Sequence, residues 1–301
     1  MGTAGGKFAL LCAVQTKPRG VAGRFKRSPM FHVHHIASLD LPDLAPYRTM
    51  RRPIAHEAQG IFVAESEKVV RRLLESNFEV ASVLLPTKWL TQFELLLRAR
   101  REDIPVYLVE KKEVLEQLIG FTMFQGIMAV GRIPAPVLLD DALARSARPR
   151  LFVAVDALAN AENLGVLVRN CVAFRVHALL VGETSASPFL RRAVRNSMGT
   201  IFQLPVVESS NLVRTLEELR RCGVRCVAAH PHATGKTLAQ ADLSGDCCIV
   251  MGSESDGISP RVLAACDEAV AVPMPPTVDS LNVGSASAVF LYEANRQRGK
   301  G

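Results

Sequence analysis

Residues 151–156 read LFVAVD. Five apolar side chains in a row leave no polar face for water, the pattern of a strand covered on both sides. Comparable runs return as HALLVG at 177–182, FQLPVV at 202–207, VRCVAA at 224–229, CCIVMG at 247–252 and EAVAVP at 268–273. Helical segments lie between them. This alternation predicts an α/β domain whose mostly parallel sheet carries helices on both faces. No internal repeat is visible.

A second α/β pattern lies upstream. GIFVAE at 60–65 is β-rich, and Ser66 stands where a cap would open the helix EKVVRRLLES. Val69, Val70, Leu73 and Leu74 share one face of that helix, and Lys68, Arg71 and Arg72 share the other. EVASVLLP, IPVYLVE and QGIMAVGR read as further strands, with TKWLTQFELLLRARR and KKEVLEQLI as helices. Pro134, Pro136 and Pro149 punctuate RIPAPVLLDDALARSARPR, which reads as a linker. The expected division is a basic extension at 1–39, a first domain at 40–133, a linker at 134–149 and a second domain at 150–301.

The chain has 301 residues, 49% of them hydrophobic and 22% charged, enough for two real cores. No stretch is long and apolar enough to cross a bilayer. Seven cysteines, at 12, 171, 222, 226, 247, 248 and 266, form no CxxC pair. Most sit in apolar runs, as buried thiols of a reducing compartment do, and zinc is not expected.

The net charge is +7, but residues 1–39 hold Lys7, Lys17, Arg19, Arg24, Lys26 and Arg27 and no acid. Removing those six charges from +7 leaves about +1 for the rest. Nucleic-acid contacts must then come from local patches. The tail reads as a disordered extension, as an overlong start ahead of Met30, or as a mitochondrial presequence. A cytoplasmic location is the first expectation, and a mitochondrial one follows if residues 1–29 are a transit peptide.

Common nucleotide signatures are missing. No GxGxxG follows the first strand of the second domain. Gly235-Lys236-Thr237 imitates the end of a P-loop, yet His230 stands where that motif needs its first glycine. HExxH and the kinase motifs are absent. Three polar loops at strand ends remain, where ligands bind in parallel sheets.

In the first loop, DALANAENLGVLVRN, Asn163 can cap a helix and Arg169 lies under two turns further on. An ordinary cap and a surface arginine fit equally. In the second, IVMGSESDGISP, a buried strand meets Gly252, Glu254 and Gly257, and Ser259-Pro260 opens a helix. Its glycines would let the backbone approach a ligand closely, although a generic tight turn reads the same way. In the third, Pro273, Pro275 and Pro276 stiffen the chain before Ser280-Leu281-Asn282. The small residues Gly284–Ala288 follow, suited to close helix contact or core packing.

In this order, N-x-G-x-x-x-R at 163–169, G-x-E-x-x-G at 252–257 and S-L-N-V at 280–283 resemble the three motifs of the SpoU (TrmH) branch of the SPOUT methyltransferases. The likeness is close over 150–298. Residues 40–133 look more loosely like that family's L30e-like substrate-binding domain, at GIFVAESEKVV and FQGIMAVGR. Arg195-Asn-Ser197-Met-Gly199 also resembles a family segment. Ser253 and Ser255 depart from the usual Asn and Gly, and the first loop lacks a proline common ahead of its asparagine.

The resemblance implies S-adenosylmethionine-dependent methylation of a ribose 2′-hydroxyl in tRNA or rRNA. It implies a trefoil knot in 240–298 and a homodimer joined through that region. The cofactor would be held in a bent form around Gly252, Glu254, Gly257, Ile258 and Leu281. Asn163, Arg169, Ser280 and Asn282 would serve catalysis. Arginine is a poor base, so Arg169 would instead hold a phosphate two-pronged beside the reacting hydroxyl. Arg191, Arg192 and Arg195, on a helix begun by Ser187-Pro188, are candidate RNA phosphate contacts or an ordinary solvated face. The rivals are an inactive RNA-gripping module, a knotted base methyltransferase, and a dinucleotide-dependent enzyme.

Overall fold

The computed structural model describes residues 31–36, 38, 40–119 and 125–299. In the described residues the strands are β1 Phe31–His35, β2 Ile61–Glu65, β3 Val80–Pro86, β4 Ile104–Val109, β5 Met128–Arg132, β6 Leu151–Val155, β7 Ala178–Val181, β8 Val206–Glu208, β9 Arg225–Ala229, β10 Lys236–Thr237, β11 Cys247–Met251 and β12 Glu268–Ala271. The α-helices are α1 Ala45–Arg48, α2 Pro53–Ala58, α3 Glu67–Glu75, α4 Leu90–Ala99, α5 Lys112–Ile119, α6 Leu139–Arg145, α7 Ala161–Ala173, α8 Arg191–Asn196, α9 Leu212–Arg221, α10 Pro260–Ala265 and α11 Val283–Gln297.

The second sheet runs β10-β12-β9-β11-β6-β7-β8, and every pairing in it is parallel. β6 lies inside the sheet, between β11 and β7, and is buried at all five positions, as its apolar run requires. Its alternate residues serve two layers. Leu151, Val153 and Val155 face Leu164, Leu167 and Phe290 of α7 and α11. Phe152 and Ala154 face Leu212, Leu216 and Val262 of α9 and α10. The polar loops therefore emerge together at the carboxyl ends of β6, β11 and β12.

The first sheet runs β1-β4-β3-β5-β2, with β5 antiparallel to both of its neighbours. β1 lies inside what the sequence assigned to a basic extension, so the first sheet reaches back to Phe31, ahead of the expected boundary at residue 40. The remainder of that extension, residues 1–30, falls outside the described residues. Ser66 precedes α3 as expected but makes no side-chain cap bond, its φ being 89°. Gln125 Oε1 accepts the Glu67 N–H instead, at 3.0 Å.

The expected linker is also partly folded. Its Val137 N–H donates to Val206 of β8, and α6 buries Ala142 and Leu143 against the second sheet. Two sheets do not make two separate cores either. Phe62 of β2 stacks on Phe202 at 5.5 Å, and Phe78 meets Phe189 at 6.0 Å. Arg72 of α3 donates to the Met198 carbonyl at 2.7 Å. One apolar cluster crosses the boundary and seats the first domain on the second.

Candidate active site

Asp156, just past β6, joins the first loop to the second: its Oδ2 accepts the Ser259 N–H at 2.7 Å. Asn160, not Asn163, then caps α7, accepting the N–H groups of Glu162 and Asn163 at 2.9 and 3.2 Å. With the cap filled by Asn160, the Asn163 side chain is free to reach elsewhere. Its Nδ2 donates to Glu254 Oε1 of the second loop. Its Oδ1 accepts from Asn282 Nδ2 of the third loop at 3.1 Å. Asn282 in turn caps α11 through the Gly284 N–H at 2.9 Å. One amide thus couples all three loops, using donor and acceptor together.

The second loop doubles back on itself. Ser253 and Gly257 exchange two backbone hydrogen bonds, at 2.9 and 3.2 Å, and Gly257 has φ +67°. A Cβ on Gly252 would stand 2.1 Å from the Gly257 carbonyl carbon. The loop's own backbone fills that space, so the reason for glycine here is the return of the loop rather than a ligand's approach.

A cleft of about 360 Å³ opens beside these loops. Met251, Val270 and Phe290 give it an apolar floor, and Glu254, Asp256 and Asp279 give it carboxylates. Among the described residues no lysine or arginine lines it. An apolar ring system carrying net positive charge suits this lining, whereas a dinucleotide's pyrophosphate would meet carboxylates.

Residues 150–292 match the model of the SpoU rRNA methylase family. The chain is 37% identical over 178 residues to the 23S rRNA (guanosine-2′-O-)-methyltransferase RlmB of Vibrio vulnificus, a stretch covering 58% of this chain and 71% of that one. The chain belongs to the SpoU rRNA methylase family. Like the rest of that family it is an RNA methyltransferase, with S-adenosylmethionine as its methyl donor. It is also 29% identical over 272 residues to an uncharacterized tRNA/rRNA methyltransferase of Mycobacterium tuberculosis, covering 88% of this chain and 92% of that one. The SpoU methyltransferase AviRb from Streptomyces viridochromogenes, solved with AdoMet, superposes with a TM-score of 0.71 at 25% identity, over 85% of this chain and 100% of that one.

Set against the SpoU motifs, most residues expected at the site converge. Gly252, Glu254, Gly257, Ser280 and Leu281 line the cleft, and Asn163 and Asn282 are bonded to Glu254 directly or through one another. Ile258 is 5% exposed and its side chain packs in the core beneath α9 and α10, which leaves its backbone, the part expected to hold the cofactor, for the cleft side. Arg169 is exposed on α7, with Val166 and Glu162 one and two turns before it, and has no hydrogen bond or ion pair to any described residue.

The three arginines assigned to RNA separate. Arg191, half-buried, stands in an ion pair with Glu65 of β2, itself 7% exposed. Arg195 approaches the same carboxylate at 3.5 Å. Arg191 is therefore a clamp between the domains and not an open phosphate contact. Arg192 is exposed, 3.8 Å from Glu162, and Arg195 keeps more than half its surface, so these two stay accessible to RNA.

The sequence reading passed over His230 and His232, which line the cleft from the end of β9, and the carboxylates Asp256 and Asp279. A signal existed for the histidines, since HPH directly follows a buried strand whose end faces the loops.

Proposed function

We propose that the protein methylates a ribose 2′-hydroxyl of tRNA or rRNA, with the methyl donor bound in the cleft beside Gly252, Glu254 and Leu281. The observation that carries this reading is the Glu254–Asn163–Asn282 connection, which unites three loops of the SpoU pattern around one cleft. Bound S-adenosylmethionine supplies an electrophilic methyl group. The chain's own residues align the acceptor, and positioning alone contributes several kcal/mol. Asn163 and Asn282 fix the loop geometry, and Ser280 offers a hydroxyl at the cleft. Arg169, with no partner among the described residues, is available to hold a backbone phosphate and the developing oxyanion.

The same proposal includes a trefoil knot in 240–298 and a homodimer through that region. Val166 of α7, with Val289 and Tyr292 of α11, forms an exposed apolar stripe, 38–55% accessible, of the kind self-association covers. A reducing location, cytoplasmic first and mitochondrial if residues 1–29 direct it there, is supported by the free thiols of the six described cysteines.

Incubation of the pure protein with labelled S-adenosylmethionine and unmodified total RNA should label an RNA fraction, and mass spectrometry should place the methyl on ribose. Label on a base, or no label while the cofactor binds, would refute ribose chemistry. Sedimentation tests the dimer, and cell fractionation tests the location.

A further inference from the structure

The ionisable side chains lining the cleft are Glu254, Asp256, Asp279, His230 and His232. The lining thus sets three carboxylates against no lysine or arginine among the described residues. No described residue forms an ion pair with those carboxylates. Glu254 takes only the uncharged amide of Asn163, and Asp256 takes the Ser255 hydroxyl at 2.6 Å. Asp279 has no polar partner among the described residues, and none of the three stands in an ion pair. Asp256 and Asp279 have no structural duty that would explain a charge there: both are exposed and sit on loop tips.

The chemistry of the reaction gives that charge a use. In the methyl donor a sulfonium and an ammonium outweigh one carboxylate, so the molecule carries a net positive charge. On transfer the carbon–sulfur bond breaks, a carbon–oxygen bond forms, and the hydroxyl proton leaves to solvent. The sulfur keeps the bonding pair and becomes a neutral thioether. Donor and product have nearly the same shape and differ by one positive charge.

Resting on the reading that this cleft holds the methyl donor, we propose that Asp256 and Asp279, with Glu254, select the occupant by charge. They hold the cationic sulfonium and release the neutral thioether. Two exposed carboxylates, each about 10 Å from a unit positive charge in a partly exposed cleft, together change affinity by roughly tenfold at low salt, and by less when salt screens them. Shape complementarity can also favour the donor, by about 10- to 200-fold for one methyl group in an apolar pocket, but that contribution is not screened by salt, so the salt dependence separates the two. The consequence is weak product inhibition without any moving part.

The test is calorimetric titration of the full chain with S-adenosylmethionine and with S-adenosylhomocysteine, at low and high salt. It is repeated on the double variant Asp256→Asn/Asp279→Asn. Both positions are exposed, and thermal melting checks that the variant folds. Wild type should prefer the donor, and only the donor's affinity should fall with salt. The double variant should bind the donor about tenfold more weakly and the product within about twofold of wild type. An analogue bearing an ammonium in place of the sulfonium should follow the donor. Equal losses for donor and product, or an unchanged ratio between them, would overturn the charge-selection proposal while leaving the cofactor site intact. Failure of wild type to bind either molecule would instead overturn the reading of the cleft itself.

Discussion

Asn163 gives its amide nitrogen to Glu254 and takes the amide of Asn282 on its oxygen, bridging loops 91 and 119 residues away in sequence. A carboxylate cannot do both tasks. Asn163→Asp would set a second negative charge against Glu254, and like charges at hydrogen-bond range disfavour one another strongly. Asn163→Ala would lose the bonds without adding repulsion, at about 1–3 kcal/mol for a bond to a charged group. The expected order of methyl-transfer rate is therefore wild type, then alanine about tenfold or more lower, then aspartate lower still. Single-turnover assays read this directly, and an aspartate variant as active as alanine would break the assignment.

At Gly252 the obstacle is backbone, which cannot rotate away as a side-chain tip can. Gly252→Ala would place its Cβ 2.1 Å from the Gly257 carbonyl carbon. The Ser253–Gly257 return must open, at about 1–3 kcal/mol, as in other overpacked sites. Lower melting temperature and weaker S-adenosylmethionine binding should appear together, because the same loop lines the cleft. If affinity fell while the melting temperature held, the glycine would serve the ligand and not the loop.

What was legible in the sequence follows from how locally each feature is encoded. β6 shows itself because both its faces are buried, so no residue breaks the apolar run. β1 hides because only Phe31 of its five residues is buried and its edge position asks for nothing more. α6 hides behind two prolines, with Ala142 and Leu143 buried in the core and Leu139 half-buried against it. The three motifs were visible as strings, but the role of Asn163 was not. Asn160 is an equally good cap three residues earlier, and only the distant loops show which asparagine is spare. Arg191 misleads for the same reason: its partner Glu65 is 126 residues away.

Glu65 is buried and Arg191 keeps only 14% of its side-chain surface, so removing one partner leaves the other charge largely cut off from water. That typically costs about 3–5 kcal/mol. Glu65→Ala should therefore lower the melting temperature by several degrees and loosen the seat of the first domain. Proteolysis should then cut faster in the 133–139 segment between the sheets. Glu65→Ala/Arg191→Leu removes both charges and should recover much of the stability, which differential scanning calorimetry can follow. A double variant no better than the single one would show that the apolar contacts alone set the docking.

Acid stability carries a separate signature. Burial pushes the Glu102 carboxyl up, but the Arg100 guanidinium and the Val80 N–H outweigh it and hold it down to about 2. A depressed carboxylate contributes its stability above its unfolded value, near 4.5, and loses it as pH falls towards about 2. Wild type should thus weaken across that window more steeply than Glu102→Gln, while at neutral pH the variant is the less stable of the two. Parallel curves for both proteins between pH 5 and 2, measured by urea midpoints, would remove Glu102 from the acid transition.

Arg169 tests the chemical step. It projects from α7 beside the apolar stripe, and no described residue claims its guanidinium. Lysine keeps the charge but not the planar pair of donors that grips a phosphate. Arg169→Lys should cut the saturated single-turnover rate by about 100-fold, the scale for removing one donor from a developing oxyanion. S-adenosylmethionine affinity should stay within a few-fold of wild type, because Arg169 does not line the cleft. Arg169→Ala should be no more than modestly worse than lysine if geometry matters more than charge. Loss of cofactor binding with the saturated rate preserved would move Arg169 out of the chemistry and into the cofactor pocket.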